Sequence, residues 1–192
     1  HLSSIMKYIG KRKVTDILLT HSHIDHSPLS RQLKIETGAR IIGFGSADAA
    51  RTSFMKKLSS SLDLGGEEGI DKDLALDKKV IDKQILNLNN YSIEVVHTPG
   101  HLSNHVCFSL KERQILFSGD HVMGWATTLI SPPDGDLGSF MNSLEKLSDR
   151  EEMIYYPGHG KPLKEPRKMV LAQIKHRRDR DCLLYTSPSP RD

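Results

Sequence analysis

Histidine and aspartate are concentrated in one short stretch, THSHIDH, which spans Thr20 to His26. Side chains two residues apart in an extended segment point the same way, so His21 and His23 can converge on one point. Asp25 and His26 follow as the chain turns toward a helix, so they can serve a second point nearby. Neutral imidazole and carboxylate are the ligands that zinc and similar divalent ions prefer. The stretch predicts metal binding, and a polar loop of helix-capping residues is the alternative.

Three later stretches repeat this design, in which an apolar strand leads into a turn that holds His or Asp. They are VVHTPGHLSNH, ILFSGDH and MIYYPGHG. The sheet fixes the backbone at a strand end, so His101, Asp120 and His159 are the natural further ligands. Together with the first stretch they exceed what one four-coordinate ion needs. Two metal ions that share a bridging carboxylate would use them all.

The elements that must position these residues are short apolar strands alternating with helical segments. Predicted strands are VTDILLT, RIIGFG, YSIEVVH, HVCFSL, QILFSGD and the start of EMIYYPGHG, with short strands near Val80 and Ile85 in a charged, loop-like region. Predicted helices run from an N-cap at Ser27, with Pro28 at the first helical position, to Gly38, through RTSFMKKLSSSL, through LGSFMNSLEKLS, and from Pro166 to about Arg180. This mixture favours an α/β (α+β) fold in which sheet is covered by helices.

Composition sets broad limits on the class of protein. A chain of 192 residues with 37% hydrophobic and 27% charged residues suits one folded domain. The formal charge of +3 is too small to indicate a polyanionic partner by itself. Cys107 and Cys182 cannot form a disulfide framework, and Cys107 is expected to be a buried strand residue. With no signal peptide or membrane-length apolar run, we expect a cytoplasmic protein without a membrane partner, although a segment before His1 could have carried an address.

In that order, the motifs THSHIDH, TPGH, SGD and PGHG resemble those of the metallo-β-lactamase fold superfamily, and the resemblance covers His1 to about Arg180. It implies an αββα sandwich with metal ions at one edge. It also implies a first metal held by His21, His23 and His101, a second held by Asp25, His26 and His159, and a bridging Asp120. The expected cofactors are two divalent ions, zinc in the first place, with iron or manganese as alternatives.

Both ends of the chain depart from the family pattern. Only twenty residues precede His21, so we expect the opening strands of the family's first sheet to be absent and the sandwich to be N-terminally truncated. We therefore predict a hydrolase domain over residues 1–180 that is incomplete at its N-terminus. Residues 181–192 carry no pattern of their own and resemble translated adaptor sequence. They are predicted to be an unstructured, artefactual tail.

The resemblance implies a hydrolase that uses a metal-bridging hydroxide, with Asp25 and Asp120 as catalytic residues. The region from SGDHVMGWATT to HRRDR looks most like bacterial relatives of the beta-lactamase-like endoribonuclease, which favours RNA or another phosphodiester as substrate. The alternatives are a thioester hydrolase of the hydroxyacylglutathione hydrolase type, an iron-dependent sulfur dioxygenase and a non-catalytic metal-binding domain. The expected partner is a small-molecule or single-stranded RNA substrate.

Residues close to the ligands are candidates for a substrate pocket. We predict substrate contacts for His121, Trp125, Thr127 and Thr128. His105 is either an orienting partner of a ligand or a structural residue. His97 is expected to be a structural histidine at a strand end. A cationic cluster from Lys175 to Arg180 could contact RNA phosphates, with a solvated helix face as the default.

Overall fold

The computed structural model describes residues 1–61 and 69–186, and side chains for residues 1–60 and 69–182. The helices are α1 (Leu2–Ile9), α2 (Leu29–Thr37), α3 (Ser53–Ser61), α4 (Leu137–Ser148) and α5 (Pro166–Thr186), with a 3-10 turn at Lys111–Arg113. The strands are β1 (Asp16–Leu18), β2 (Arg40–Gly43), β3 (Lys78–Lys79), β4 (Ile85–Leu88), β5 (Tyr91–His97), β6 (Val106–Leu110), β7 (Ile115–Gly119) and β8 (Ile154–Pro157). The predicted α/β class is confirmed.

The strands form two sheets whose directions bring several strand ends to one edge. One sheet is parallel, in the order β1-β2-β3. The other has the order β4-β5-β6-β7-β8, antiparallel from β4 to β7 and parallel between β7 and β8. Strands β5, β7 and β8 therefore run in the same direction and end at the same edge. Val106, at the start of β6, donates its backbone N–H to the carbonyl of Thr20 at 2.8 Å, which ties the end of β1 to this edge.

Alternating side chains on the second sheet bury both of its faces. Val95 and Phe108 pack with Ile42 of β2, which places the two sheets face to face. Val96 and Cys107 point the opposite way. They pack in a cluster with Leu116, Phe140, Leu144, Tyr155, Val170 and Ile174, which includes α4 and α5. Since α2 contacts β2, the layers follow the αββα order, and Cys107 is buried as expected.

Helix α2 differs from its prediction at its start but not at its end. Gly38 ends the helix with a φ of 71°, a left-handed conformation that glycine adopts without strain. The prediction of Ser27 as N-cap is wrong, because Pro28 occupies that position. The Ser27 hydroxyl instead donates to Asp71 Oδ2 at 2.8 Å. No side chain caps the start of this helix by a hydrogen bond.

Helix α5 is longer than predicted and continues past Arg180 to Thr186. The prediction of an unstructured tail is therefore wrong for residues 181–186, while residues 187–192 lie outside the described residues. No proline or glycine interrupts the chain between Arg180 and Pro188, so helical hydrogen bonding can continue. Among the helices that the structure describes, none combines the length and the apolar character needed to cross a membrane.

Candidate metal centre

All the predicted ligands meet at the edge where the strands end. The loop after β1 supplies His21, His23, Asp25 and His26, while His101 follows β5, Asp120 follows β7 and His159 follows β8. Potential ligand atoms cluster in three overlapping groups. They are His21, His23 and His101, then His21, His26 and Asp120, then Asp25, His26 and His159, each with its ligand atoms within 4.8 Å of one another.

The first group consists of three imidazole nitrogens. His23 Nδ1 lies 3.0 Å from His21 Nε2 and 3.0 Å from His101 Nε2. His101 Nδ1 donates to the carbonyl of Leu129 at 2.7 Å, and this contact fixes the proton on Nδ1 and leaves the Nε2 lone pair facing the group. His21 Nδ1 lies 3.0 Å from Thr20 Oγ1. These contacts orient the rings so that three nitrogens face a common point.

The second group is more open to solvent. His26 Nε2 lies 3.1 Å from His159 Nε2, and Asp25 Oδ2 lies 3.1 Å from His159 Nε2 and 3.5 Å from His26 Nε2. The Asp25 side chain is 56% exposed, whereas that of His26 is 13% exposed. Solvent and substrate can therefore approach this group from the side of Asp25.

Asp120 lies between the two groups. Its Oδ2 is 3.4 Å from His26 Nε2, 3.5 Å from His159 Nε2 and 3.8 Å from His101 Nε2. Its other oxygen, Oδ1, is buried and has no hydrogen-bond partner among the described residues. A buried carboxylate oxygen normally has a partner. The unpaired oxygen, together with imidazole and carboxylate donors facing two points, fits a pair of divalent cations.

Burial and local charge set the protonation of the cluster. Desolvation holds the pKa of His21 and of His101 below the ordinary value and lowers the pKa of His23 to about 4, which favours the neutral, metal-binding form. Burial opposes charge on His26 too, but its hydrogen bond to Asp120 and the charge of Asp120 outweigh burial and raise its pKa. Burial favours neutral Asp120, yet His26 and the other nearby histidines lower its pKa.

We expect metal-free protein to lose stability as the pH falls below about 6.5. The unfolded chain binds protons in this range, whereas folded His23, with a pKa of about 4, stays neutral. His26, with its raised pKa, acts in the opposite direction, but the lowered pKa values of His21, His101 and the fully buried His105 add to the effect of His23. Urea unfolding in EDTA between about pH 7.5 and 4.5 measures the slope. A free energy of unfolding that rose with acidity across this range would contradict the expectation.

His105 is a buried histidine that binds the backbone of Asp120. The backbone N–H of Asp120 donates to His105 Nε2 at 3.2 Å, so the His105 proton is on Nδ1 and is donated to Thr98 Oγ1 at 2.8 Å. Thr98 Oγ1 in turn lies 3.3 Å from Cys107 Sγ. Of the two roles open from the sequence, the structure favours the orienting one. His97 is structural, because it donates to the carbonyl of Ser103 and stacks on Phe44.

Asp71 is a residue near the centre that sequence reasoning missed. Its backbone N–H donates to the carbonyl of Ser22 at 2.8 Å, and its carboxylate accepts from Ser27 Oγ at 2.8 Å and from Arg31 Nη1 at 3.0 Å. Asp71 thus holds the histidine loop at both ends. It lies in a charged loop-like segment with no periodicity, so its spacing carries no signal that could have identified it.

We expect Asp71→Ala to lower the free energy of unfolding by about 2–3 kcal/mol, because it leaves the Ser27 hydroxyl and the Arg31 guanidinium without their acceptor. Zinc affinity should fall too, since the loop that carries His21 to His26 loses its anchor. Urea unfolding and zinc titration measure the two effects. Asp73→Ala removes an exposed carboxylate two residues away and serves as the control. Equal behaviour of the two variants would refute the anchoring role.

The predicted substrate contacts divide into two exposed and two buried residues. Trp125 is 70% exposed and Thr127 is also exposed. His121 is fully buried beside Phe140, and burial lowers its pKa to about 3. The turn after β7 sends Asp120 toward the cluster and His121 into the core, and contact of His121 with substrate stays a prediction.

Thr128 is likewise buried, and its contact with substrate stays a prediction. Its hydroxyl faces the carbonyls of Asp120 at 2.5 Å and of His121 at 3.2 Å. Its own carbonyl accepts a hydrogen bond from Arg177. Thr128 therefore holds the turn that carries Asp120, and its side chain has no access to solvent.

Comparison with known proteins places this geometry in context. A family model described as the metallo-beta-lactamase superfamily matches residues 3–159. An atrochrysone carboxyl ACP thioesterase of Aspergillus fumigatus is 29% identical over 91% of this chain and 48% of its own length. The beta-lactamase-like protein 2 homolog of Drosophila melanogaster is 32% identical over 94% of this chain and 56% of its own length. The chain thus spans about half the length of these curated relatives.

A solved structure gives the same result for the fold. A metallo-beta-lactamase family protein from Thermus thermophilus superposes with a TM-score of 0.76 at 25% identity, over 98% of this chain and 70% of that one.

Proposed function

The chain belongs to the metallo-beta-lactamase superfamily, and we propose that it binds two divalent metal ions and hydrolyses an acyl thioester. The position of Asp120 is the observation that supports binding of two metal ions. Its Oδ2 lies within 3.8 Å of nitrogens from both ligand groups, while its Oδ1 is buried without a partner among the described residues. A carboxylate in this position is suited to hold two cations close together.

The ligand sets proposed are His21, His23 and His101 for one ion and Asp25, His26 and His159 for the other, with Asp120 shared. Zinc suits a donor set rich in imidazole, and iron or manganese are the alternatives that metal analysis decides. When bound, two such ions lower the pKa of a water molecule toward neutrality and polarise the electrophile.

The chain's own residues have distinct parts in this proposal. Asp120 neutralises charge between the two groups, and its backbone is held by His105 and Thr128. Asp25 is exposed toward solvent, so its carboxylate can accept a hydrogen bond from the attacking water. The His101 ring is held by the carbonyl of Leu129 and keeps its free nitrogen directed at the first group.

An acyl thioester is proposed as substrate on two grounds. The Aspergillus fumigatus relative is a thioesterase that acts on an acyl carrier protein. Three of the α5 cations that could contact RNA phosphates have partners within the chain: Lys175 pairs with Asp179, Arg178 pairs with Glu145, and Arg177 donates to Thr128. Phosphodiester hydrolysis is the alternative from the sequence resemblance.

The test is a substrate panel on protein reconstituted with zinc, manganese or iron, with metal content measured in parallel. The panel contains acyl N-acetylcysteamine thioesters, an acylglutathione, bis-nitrophenyl phosphate and single-stranded RNA. We expect two metal ions per chain and thioester hydrolysis that EDTA abolishes. Metal-independent turnover, or no turnover on any member by fully loaded protein, would refute the proposal. Cleavage of RNA alone would replace the substrate class.

A further inference from the structure

An apolar groove lies beside the candidate metal centre, between the loop that follows Asp120 and helix α5. Its volume is about 260 Å³. Its lining includes Met123, Trp125, Met169, Ala172 and His176. Trp125 is 70% exposed, so its indole face is open to a ligand.

One wall of the groove contacts the residue next to a candidate ligand. Trp125 lies against Gly160, where an added Cβ would approach Trp125 Cδ1 to 2.8 Å, and Gly160 directly follows the candidate ligand His159. Two more apolar side chains are exposed next to ligands. Ile24, between His23 and Asp25, is 59% exposed, and Leu129, whose carbonyl holds His101, is 74% exposed. Exposed apolar side chains therefore lie next to candidate ligands of both groups.

Hydrogen bonds hold the walls of the groove at both ends of the loop. Gln173 Nε2 donates to the carbonyl of Met123 at 2.9 Å, which fixes the loop to α5. Thr128 is bound to the turn of Asp120 on one side and to Arg177 on the other. The groove is thus formed by the fold itself, and its wall is connected through the backbone to the candidate bridging carboxylate.

The chemistry of the lining distinguishes between ligand classes. Thioether, indole and methyl groups dominate, and His176 is the ionisable side chain in the lining. A nucleic-acid groove would place arginine or lysine along the phosphate path. An extended hydrocarbon or aromatic acyl group needs an apolar wall and no counter-charge.

We propose that this groove binds the apolar acyl group of the substrate, so that the chain length of the acyl group determines specificity. The inference rests on the proposed hydrolase function for its relevance to turnover, but binding in the groove requires neither metal nor catalysis. Contact with Trp125 and Met169 on one side of the acyl chain should increase affinity about twofold for each methylene group, roughly half the effect of full burial.

The fluorescence of Trp125 measures ligand binding in the groove directly, because Trp125 is the single tryptophan of the chain. We expect S-octyl-N-acetylcysteamine, a thioether that cannot be hydrolysed, to shift Trp125 emission to shorter wavelength in a saturable manner. The dissociation constant should rise about twofold for each methylene group removed down to the S-ethyl compound. The same titration in EDTA should give the same chain-length dependence. Unchanged emission, or affinity independent of chain length, would overturn the proposal.

A pair of charge insertions on α5 supplies the matched control. Ala172→Asp puts a carboxylate into the groove and should weaken binding of the S-octyl compound at least about tenfold. Leu171→Asp puts the same charge on the adjacent position, outside the groove lining, and should leave binding within about twofold. Circular dichroism checks that both variants fold. Equal weakening by the two folded variants would overturn the assignment to the groove.

Hydrolysis then separates this inference from the proposed function. On acetyl, butyryl and octanoyl thioesters of N-acetylcysteamine, kcat/KM should rise with chain length, and Trp125→Ala should abolish that rise. Turnover that does not depend on chain length would refute acyl binding in the groove, and the proposal of a hydrolase would remain. Binding that depends on chain length, without turnover, would refute the proposed thioester hydrolysis, and the proposal of acyl binding in the groove would remain. Quenching by polyuridylate that displaces the S-octyl compound would identify a nucleobase platform and overturn the acyl assignment.

Discussion

Asp120→Asn should lower turnover about a thousandfold while the protein stays folded and keeps part of its metal. The substitution removes the negative charge that lies within 3.8 Å of nitrogens from both ligand groups. The other ligands remain in place. Folding should be preserved because the contacts that hold residue 120 use its backbone, through His105 and Thr128.

Two further measurements distinguish a bridging role from a general disturbance. The charge and hydrogen bond of Asp120 raise the pKa of His26, so that pKa should fall in metal-free Asp120→Asn protein, as an NMR titration can show. Asp179→Asn removes a carboxylate from a surface ion pair with Lys175 and should retain normal turnover. Turnover of Asp120→Asn within a few-fold of the wild type, about 1 kcal/mol of barrier, would eliminate the bridging role.

Gly158→Ala should abolish tight binding of metal and leave the fold intact. An added Cβ would lie 2.4 Å from Asp120 Oδ1 and 2.6 Å from His26 Cε1, both in the ligand cluster. The backbone of Gly158 can stay as it is, bound through its N–H to the carbonyl of Gly119 at 2.8 Å. The strain therefore falls on the two side chains, which must rotate away from their metal-binding positions. We expect metal affinity to fall by about a hundredfold or more.

Zinc titration and thermal unfolding should be measured together for Gly158→Ala. The matched control is Gly138→Ala in α4, where the added Cβ would have its nearest contact at 3.4 Å, with Asp136 Oδ1. That variant should bind zinc normally and gain about 0.5–1 kcal/mol from helix propensity. Normal zinc binding by Gly158→Ala would mean that Asp120 and His26 are not held as tightly as the structure indicates.

Local patterns in the sequence determined the strands, the ends of several helices and the ligand residues. Short apolar segments predicted β5 and β6, and Gly38 predicted the end of α2, because these features depend on neighbouring residues alone. The ligands were identifiable since each follows an apolar strand, and a strand end restricts the direction of the next few side chains. Whether they bind metal stays a prediction that the experiments above address.

Tertiary structure decided the features that depend on partners distant in the chain. Ser27 looked like an N-cap in its local sequence, but its hydroxyl donates to Asp71, forty-four residues away. The residues after β7 looked equally suited to contact substrate, yet the turn directs His121 into the core and Trp125 to the surface. No local periodicity encodes these choices, because each depends on which distant group occupies the neighbouring space after the two sheets and α5 have packed.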